Sequence, residues 1–80
     1  MQKRKIGLVF GGKSPEHEIS IISARNIYNA INKEKFEVIL IGIAQDGKWY
    51  LEDALNLQDE KCVIGKSGMQ LAVVFGNEQH

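Results

Sequence analysis

The sequence predicts an α/β domain with a Rossmann-like arrangement, because strand, helix and strand patterns follow one another in its first half. Residues 5–10 and residues 36–43 are short apolar runs of the kind found in buried strands of parallel sheets. The segment between them has the periodicity of an amphipathic helix. A right-handed crossover would place the two strands parallel, with the helix on one face of the sheet.

The helix of this unit has a well-marked expected start. The first strand closes at Gly11 and Gly12, and Ser14 is a favourable N-cap. Pro15 suits the first helical position, where its missing N–H would have no partner in any case. We therefore expect the helix to begin at Pro15 and to end near Asn32. Its expected apolar side consists of Ile19, Ala24, Ile27, Ala30 and Ile31.

The second half of the chain begins with a hairpin signal. Asp46 and Gly47 lie between two strand-like runs, so the second strand should lead through a tight turn into residues 49–51. Three further segments are expected: a loop or single helical turn at residues 52–61, a short strand at 62–64 and another strand at 70–75. The predicted fold has three to four mostly parallel strands, one main helix and a β-hairpin extension.

Composition excludes several classes of protein. Ten Lys and Arg residues balance ten Asp and Glu residues, so no net charge favours nucleic acid or an anionic membrane. No apolar run approaches the roughly 20 residues that cross a bilayer. Cys62 is the one cysteine and cannot form an internal disulfide, which fits a reducing cytoplasm. We expect a cytoplasmic protein without nucleic-acid or membrane partners, in which Cys62 is a buried or half-buried residue.

The predicted sheet is thin for a parallel one. Parallel sheets are stable when both faces are covered, and one main helix covers one face. We therefore expect residues 1–80 to be an incomplete N-terminal domain of a longer chain.

The turn at residues 11–20 is the segment that could carry chemistry. It lies beyond the carboxyl end of the first strand, where open α/β sheets bind ligands. Residues 7–14 also satisfy the P-loop pattern literally. We reject that interpretation because Gly7 is followed by the apolar centre of the strand, and Pro15 removes a backbone donor that a phosphate loop needs.

The stretch Gly-Gly-Lys-Ser-Pro-Glu-His-Glu-Ile-Ser at residues 11–20 resembles the opening of D-alanine–D-alanine ligases. Lys-Ile-Gly-Leu-Val-Phe before it and Ile22-Ser23-Ala24 after it extend the resemblance, which continues more loosely to Tyr50. Residues 52–80 are compatible with it.

The resemblance implies the N-terminal pre-ATP-grasp domain of an enzyme that joins two D-alanines for peptidoglycan. In that family ATP phosphorylates the carboxylate of the first D-alanine, and the amine of the second attacks the acyl phosphate. ATP and Mg²⁺ are expected on central and C-terminal domains absent from this chain, so the chain alone should be inactive. The family tends to form homodimers, and the choice between D-alanine and D-lactate as second substrate is expected to lie in the later domains.

The resemblance also assigns substrate-side residues. It implies that Glu16 orients the ammonium of the first D-alanine, while His17 lines the pocket and Ile19 touches the alanine methyl. No metal ligand is assigned to this segment. The residues allow plainer roles: Glu16 could stabilise the helix dipole by about 0.3–1 kcal/mol, His17 could be a surface or capping residue, and Ile19 could belong to the core.

Several neighbouring residues have simpler interpretations. Ser20 and Ser23 are expected on the apolar side of the helix, where small residues allow close packing on the sheet. Lys13 is expected to be an exposed loop lysine, and Trp49 and Tyr50 to cover the sheet edge. Two alternative functions stay open: the pre-grasp domain of another ATP-grasp ligase, and a non-catalytic α/β module that binds a small molecule.

Overall fold

Four strands and two helices make up the part of the chain that the computed structural model describes, residues 3–13 and 15–72. The elements in chain order are β1 (Arg4–Gly11), α1 (His17–Ala30), β2 (Phe36–Ile43), β3 (Trp49–Glu52), α2 (Ala54–Gln58) and β4 (Gln70–Leu71). The strands form one sheet in the order β1-β2-β3-β4. The predicted βαβ unit, main helix and hairpin extension are confirmed.

The sheet is mixed in direction and not mostly parallel. β1 and β2 are parallel, with Arg4 opposite Phe36 and Gly11 opposite Ile43. β2 and β3 are antiparallel, and so are β3 and β4. The short turn at Gly47 explains the first reversal, because a tight hairpin joins antiparallel neighbours whereas a parallel pair needs a long crossover. Residues 73–75 of the predicted last strand lie outside the described residues.

Helix α1 begins at His17, two residues after the predicted start at Pro15. The carbonyl of Glu16 accepts a hydrogen bond from the N–H of Ser20 at 2.9 Å, so Glu16 is the N-cap residue. Its side chain makes no capping hydrogen bond. The expected N-cap, Ser14, lies outside the described residues. Glu16 therefore belongs to the turn before the helix and not to its first helical turn.

The face of α1 that packs on the sheet differs from the predicted one. Ile21 and Ala24 are buried, whereas Ile19, Ile27 and Ala30 are exposed. The prediction is confirmed for Ala24 and wrong for Ile19, Ile27 and Ala30. Positions 21, 24 and 28 share a helix face just as positions 19, 27 and 30 do, and both sets are largely apolar.

The hydrophobic core lies between α1, α2 and one face of the sheet. Its buried members are Phe10, Ile21, Ala24, Leu40 and Leu57. Successive strand residues alternate between faces, so Val9 and its β2 partner Ile41 lie on the opposite side of the sheet. The core cluster has no member on that second face, and Val9 is 46% exposed there. The described helices thus cover one face, as predicted.

Helix α2 confirms the helical turn expected within residues 52–61. Asp53 caps it by accepting the N–H of Asn56 at 2.8 Å, and Leu57 is completely buried. The short strand expected at residues 62–64 is wrong. The side chain of Asn56 bonds both backbone groups of Val63, donating to its carbonyl at 2.9 Å and accepting its N–H at 3.4 Å. Those groups are thereby satisfied without a neighbouring strand.

Glu52 anchors this irregular segment to the end of β3. It is 7% exposed, and its two carboxylate oxygens accept from different donors. Oε1 accepts from Asn56 Nδ2 at 2.7 Å, and Oε2 accepts from the N–H of Gly65 at 2.9 Å. Residue 52 was expected to begin a polar loop or helical turn, and this anchoring role was not predicted from the sequence.

Arg25 joins the two helices. Its Nε donates to the carbonyl of Leu57 at 2.8 Å, and its Nη2 donates to the carbonyl of Asp59 at 2.9 Å. These are carbonyls at the C-terminal end of α2, where a cation is favourable. Neither helix of the described ranges combines the length and apolar content needed to cross a bilayer.

Candidate functional site

The β1–α1 turn leaves the sheet at the carboxyl ends of its two parallel strands. The N–H of Gly12 donates to the carbonyl of Ile43 at 2.7 Å, which extends the β1–β2 pairing by one residue. Gly11 and Gly12 have φ angles of +92° and +112°, a region that side chains disfavour. This is the edge at which α/β sheets bind ligands, as the sequence predicted.

Two side chains from the first turns of α1 hold the glycine pair. Ser20 Oγ accepts the N–H of Gly11 at 2.9 Å. His17 Nδ1 lies 2.7 Å from the carbonyl oxygen of Gly12. Because a carbonyl can only accept, Nδ1 carries the proton and is the donor. Ser20 was expected to have a packing role only, and this hydrogen bond was not predicted, although the serine lies three residues after His17 and therefore on the same helix face.

Glu16 is exposed and lies between this turn and the start of α1. It follows Gly12 by four residues and is the N-cap of the helix that starts beyond the edge where the parallel strands end. His17, its neighbour, is half-buried. The structure thus brings the two residues to the predicted location, and their contacts with substrate stay predictions.

Ile19 and Ser23 are placed differently from expectation. Ile19 is 63% exposed, so the plainer interpretation of it as a core residue is wrong. Ser23 is also exposed and does not lie against the sheet. Both belong to the face of α1 that turns away from β1. The predicted contact of Ile19 with an alanine methyl stays a prediction.

The remaining residues singled out in the sequence have structural positions. Lys13 is exposed as expected, and its side chain lies beside Gly47 of the hairpin turn. Gly7 is paired with Ile39 in the middle of β1, so it cannot open a phosphate-binding loop. Trp49 is half-buried on β3, which lies between β2 and β4 and so is not an edge strand.

A cavity of about 270 Å³ opens beside the turn. It lies at the carboxyl end of β2 and is lined by His17, Glu18, Ile21, Ala44, Gln45, Cys62, Val63 and Ile64. A larger cavity of about 610 Å³ shares Glu18 and Cys62 with it and adds Arg25. Glu16 lines neither cavity. The ring of His17 therefore contacts both the glycine turn and the smaller cavity.

Cys62 is half-buried against the core, as predicted. Burial raises the pKa of its thiol above the ordinary value, and the carboxylate of Glu52 raises that pKa further, while Arg25 acts in the opposite direction. The thiolate is the nucleophilic form of cysteine. The folded chain therefore presents a thiol that is less reactive than an ordinary cysteine in the wall of both cavities.

Alkylation of Cys62 at about pH 8 should accordingly be slower in the folded chain than in the urea-unfolded chain, because burial shields the thiol and raises its pKa. Because folding favours the neutral thiol, the free energy of unfolding should also fall as the pH rises through the ordinary thiol range. Mass spectrometry of iodoacetamide-treated samples measures the rates. A Cys62→Ser variant is the control for modification elsewhere, and equal rates in the two states would contradict the expectation.

The sequence profile of the family described as D-ala D-ala ligase N-terminus matches residues 5–77. The chain belongs to this family. The match extends well beyond the first fifty residues on which the resemblance rested. It also covers the segment organised by Glu52 and Asn56.

Individual members of the D-ala D-ala ligase family agree with this assignment. D-alanine–D-alanine ligase A of Escherichia coli K12 is 45% identical over all of this chain, and the D-alanine–D-alanine ligase of Shouchella clausii is 43% identical over 98% of it. The chain spans 23% of the length of each relative. It therefore corresponds to the N-terminal domain of much longer ligases.

Solved structures show the same domain. The D-alanine–D-alanine ligase of Coxiella burnetii superposes on 96% of the chain with a TM-score of 0.79 at 36% identity. VanG, a D-Ala:D-Ser ligase from Enterococcus faecalis, superposes on 91% with a TM-score of 0.74 at 35% identity. The chain covers 23% and 22% of those two proteins. The α/β architecture described above is thus that of the family.

Proposed function

We propose that this domain is the substrate-side part of an ATP-dependent D-alanine–D-alanine ligase, in which it presents Glu16 to the ammonium group of the first D-alanine. The observation that carries the proposal is the position of Glu16, exposed at the glycine turn beyond the carboxyl ends of β1 and β2. Family membership supplies the reaction class.

A carboxylate at this position suits the proposed substrate. An amino acid carries a positive ammonium group, and a charge-assisted hydrogen bond to a fixed carboxylate is stronger than a neutral one. Glu16 would fix the orientation of the first D-alanine, while ATP activates its carboxylate and supplies the chemical driving force. Orientation alone can lower a barrier substantially, because it removes rotational and translational freedom before the chemical step.

ATP and Mg²⁺ are assigned to parts of the ligase outside this chain. Ile19 completes the proposed substrate side, since it lies within three residues of Glu16. His17, the neighbour of Glu16, holds the glycine turn through its hydrogen bond to Gly12. The exposure of Ile19 leaves its side chain accessible to an alanine methyl. We place the complete ligase in the cytoplasm, as a homodimer that supplies D-alanyl-D-alanine for peptidoglycan.

Related proteins support D-alanine as the substrate that this domain handles. Relatives named for D-alanine–D-alanine ligation and VanG, named for D-Ala:D-Ser ligation, have this same domain. D-Ala is the substrate that both kinds of protein share. A domain common to both fits recognition of the shared amino acid, and selection of the second one then falls to later domains.

Glu16→Gln in the complete ligase should raise the KM for D-alanine at the first site by about 10–100-fold, because a charge-assisted hydrogen bond contributes ~1.5–3 kcal/mol. The KM for ATP should stay within about twofold of the parent value. The substitution removes a contact with D-alanine only, and ATP binds to other parts of the ligase. Steady-state kinetics with each substrate varied in turn measures both values.

Glu18→Gln is the matched control, because Glu18 is an exposed acid two residues further along, in the first turn of α1. It should leave both KM values close to those of the parent enzyme. Equal D-alanine kinetics in the Glu16→Gln variant and the parent would rule out the assigned role. An equal loss in both variants would show a general charge effect instead.

A further inference from the structure

We propose that His17 and Ser20 form a positioning pair that fixes the turn carrying Glu16, and that His17 acts through Nδ1 on Gly12 and not by touching the substrate. The inference rests on the proposed function of Glu16. It gives His17 a different role from the pocket-lining one that the resemblance implied.

The turn needs external support because it is built on two glycines. A glycine pair has more conformational freedom than any other dipeptide, and that freedom must be lost to hold a following side chain in one place. Glu16 follows Gly12 by four residues and is the N-cap residue of α1. The backbone position from which its side chain extends therefore depends on how the glycines are held against the sheet and against α1.

Three polar backbone groups of the glycine pair have partners, and two of these partners are the proposed residues. Ser20 Oγ accepts the N–H of Gly11 at 2.9 Å, and His17 Nδ1 donates to the carbonyl of Gly12 at 2.7 Å. The third partner is the carbonyl of Ile43 on β2, which accepts the N–H of Gly12. The turn is thus held between the rigid sheet on one side and the first turns of α1 on the other.

The hydrogen bond to Gly12 also requires a proton on Nδ1 of the His17 ring. With the proton on Nδ1, a neutral imidazole has Nε2 as an acceptor without a proton. Any direct role of the ring towards a ligand in the cavity beside Gln45 would use Nε2. Support of Gly12 would use Nδ1, and a direct contact with a ligand would use Nε2. Substitution by Asn or Gln, whose amide groups reach one or the other of these positions, can therefore separate the two roles.

The first test is carried out in the complete ligase with His17→Asn and His17→Gln. An Asn amide nitrogen can occupy the place of Nδ1, whereas a Gln amide reaches the place of Nε2. We expect His17→Asn to keep the KM for D-alanine within about threefold of the parent. His17→Gln and Ser20→Ala should raise it about 10-fold, the effect of one hydrogen bond of ~1.4 kcal/mol. The KM for ATP should not change.

The proposal would be overturned if His17→Gln kept the parent KM for D-alanine and His17→Asn raised it. That result would mean that His17 contacts the substrate directly through Nε2. Thermal unfolding of each variant gives the second readout. A fall in Tm without any change in the KM for D-alanine would show that the pair is merely structural, and would also overturn the proposal.

A double-mutant cycle separates this inference from the proposed function. If His17 acts by placing Glu16, His17→Gln should add less than about twofold to the KM in a Glu16→Gln background, because coupled residues are not additive. A full additional 10-fold effect would mean that His17 acts independently, which refutes the positioning role while the function of Glu16 stands. No effect of Glu16→Gln alone would refute both.

Discussion

Gly11→Ala is expected to lower the free energy of unfolding of this chain by about 2–5 kcal/mol. A residue with a side chain at positive φ costs about 1–2 kcal/mol, and Gly11 has a φ of +92°. An added Cβ would also lie 2.4 Å from the carbonyl oxygen of Ile43 and 2.5 Å from Cδ1 of Ile64. The backbone oxygen belongs to β2 and cannot move aside without breaking the parallel pairing, so overpacking adds about 1–3 kcal/mol.

That loss is a large part of the stability of a chain of 80 residues, because folded domains have about 0.05–0.15 kcal/mol per residue. Urea unfolding followed by the fluorescence of Trp49, the single tryptophan, measures the change. Gly12→Ala is the matched control. Its φ is +112°, but an added Cβ meets nothing within 4 Å. The Gly12→Ala variant should lose about 1–2 kcal/mol of unfolding free energy from backbone strain alone. If Gly11→Ala proves no less stable than Gly12→Ala, the turn adjusts to the extra carbon and the prediction is wrong.

Glu52→Ala is expected to lower the free energy of unfolding by about 2–4 kcal/mol. The substitution leaves the N–H of Gly65 and an amide hydrogen of Asn56 without their acceptors, and each lost hydrogen bond to a charged group costs about 1.5–3 kcal/mol. Water entering the space left by the side chain recovers part of that sum. Because Asn56 also bonds both backbone groups of Val63, the whole segment from 53 to 65 should loosen with it.

Glu52→Gln should lower the free energy of unfolding by about 1–2 kcal/mol. The glutamine oxygen can still accept one of the two hydrogen bonds, but the glutamine NH2 group would face the second donor and cannot accept from it. Glu37→Ala is the control, because Glu37 is an exposed acid on the neighbouring strand β2. It should change the stability by less than about 0.5 kcal/mol. Urea unfolding gives all three values, and faster proteolysis within residues 53–65 should accompany the Glu52 variants. Parent-like stability of Glu52→Ala would show that the carboxylate does not hold this segment.

The site was predictable where its signals are local. Gly11 and Gly12 mark the end of an apolar run, and Pro15 marks the approach of a helix, so the turn and the location of Glu16 could be derived from neighbouring residues. The roles of Ser20 and Glu52 could not be derived in that way. Each depends on a hydrogen-bond partner nine or thirteen residues away, Gly11 for the serine and Gly65 for the glutamate.

The sequence by itself determined the βαβ unit, the hairpin at Gly47 and the family of ligases to which the chain belongs. Those features depend on short apolar runs, on glycines where the backbone must turn sharply, and on residue types in a fixed local order. They are properties of adjacent residues, so no distant contact was needed to recognise them.

The tertiary structure decided which face of α1 is buried and which polar side chains hold backbone segments in place by hydrogen bonds. Ile19 and Ile21 have the same hydrophobicity and similar helix spacings to other apolar residues, and the fit of Ile21 and Ala24 against the sheet selects between them. A strand at 62–64 was excluded in the same way, because the side chain of Asn56 took the hydrogen bonds of Val63. Burial and hydrogen-bond pairing are decided by packing between segments distant in sequence, and local patterns do not contain that information.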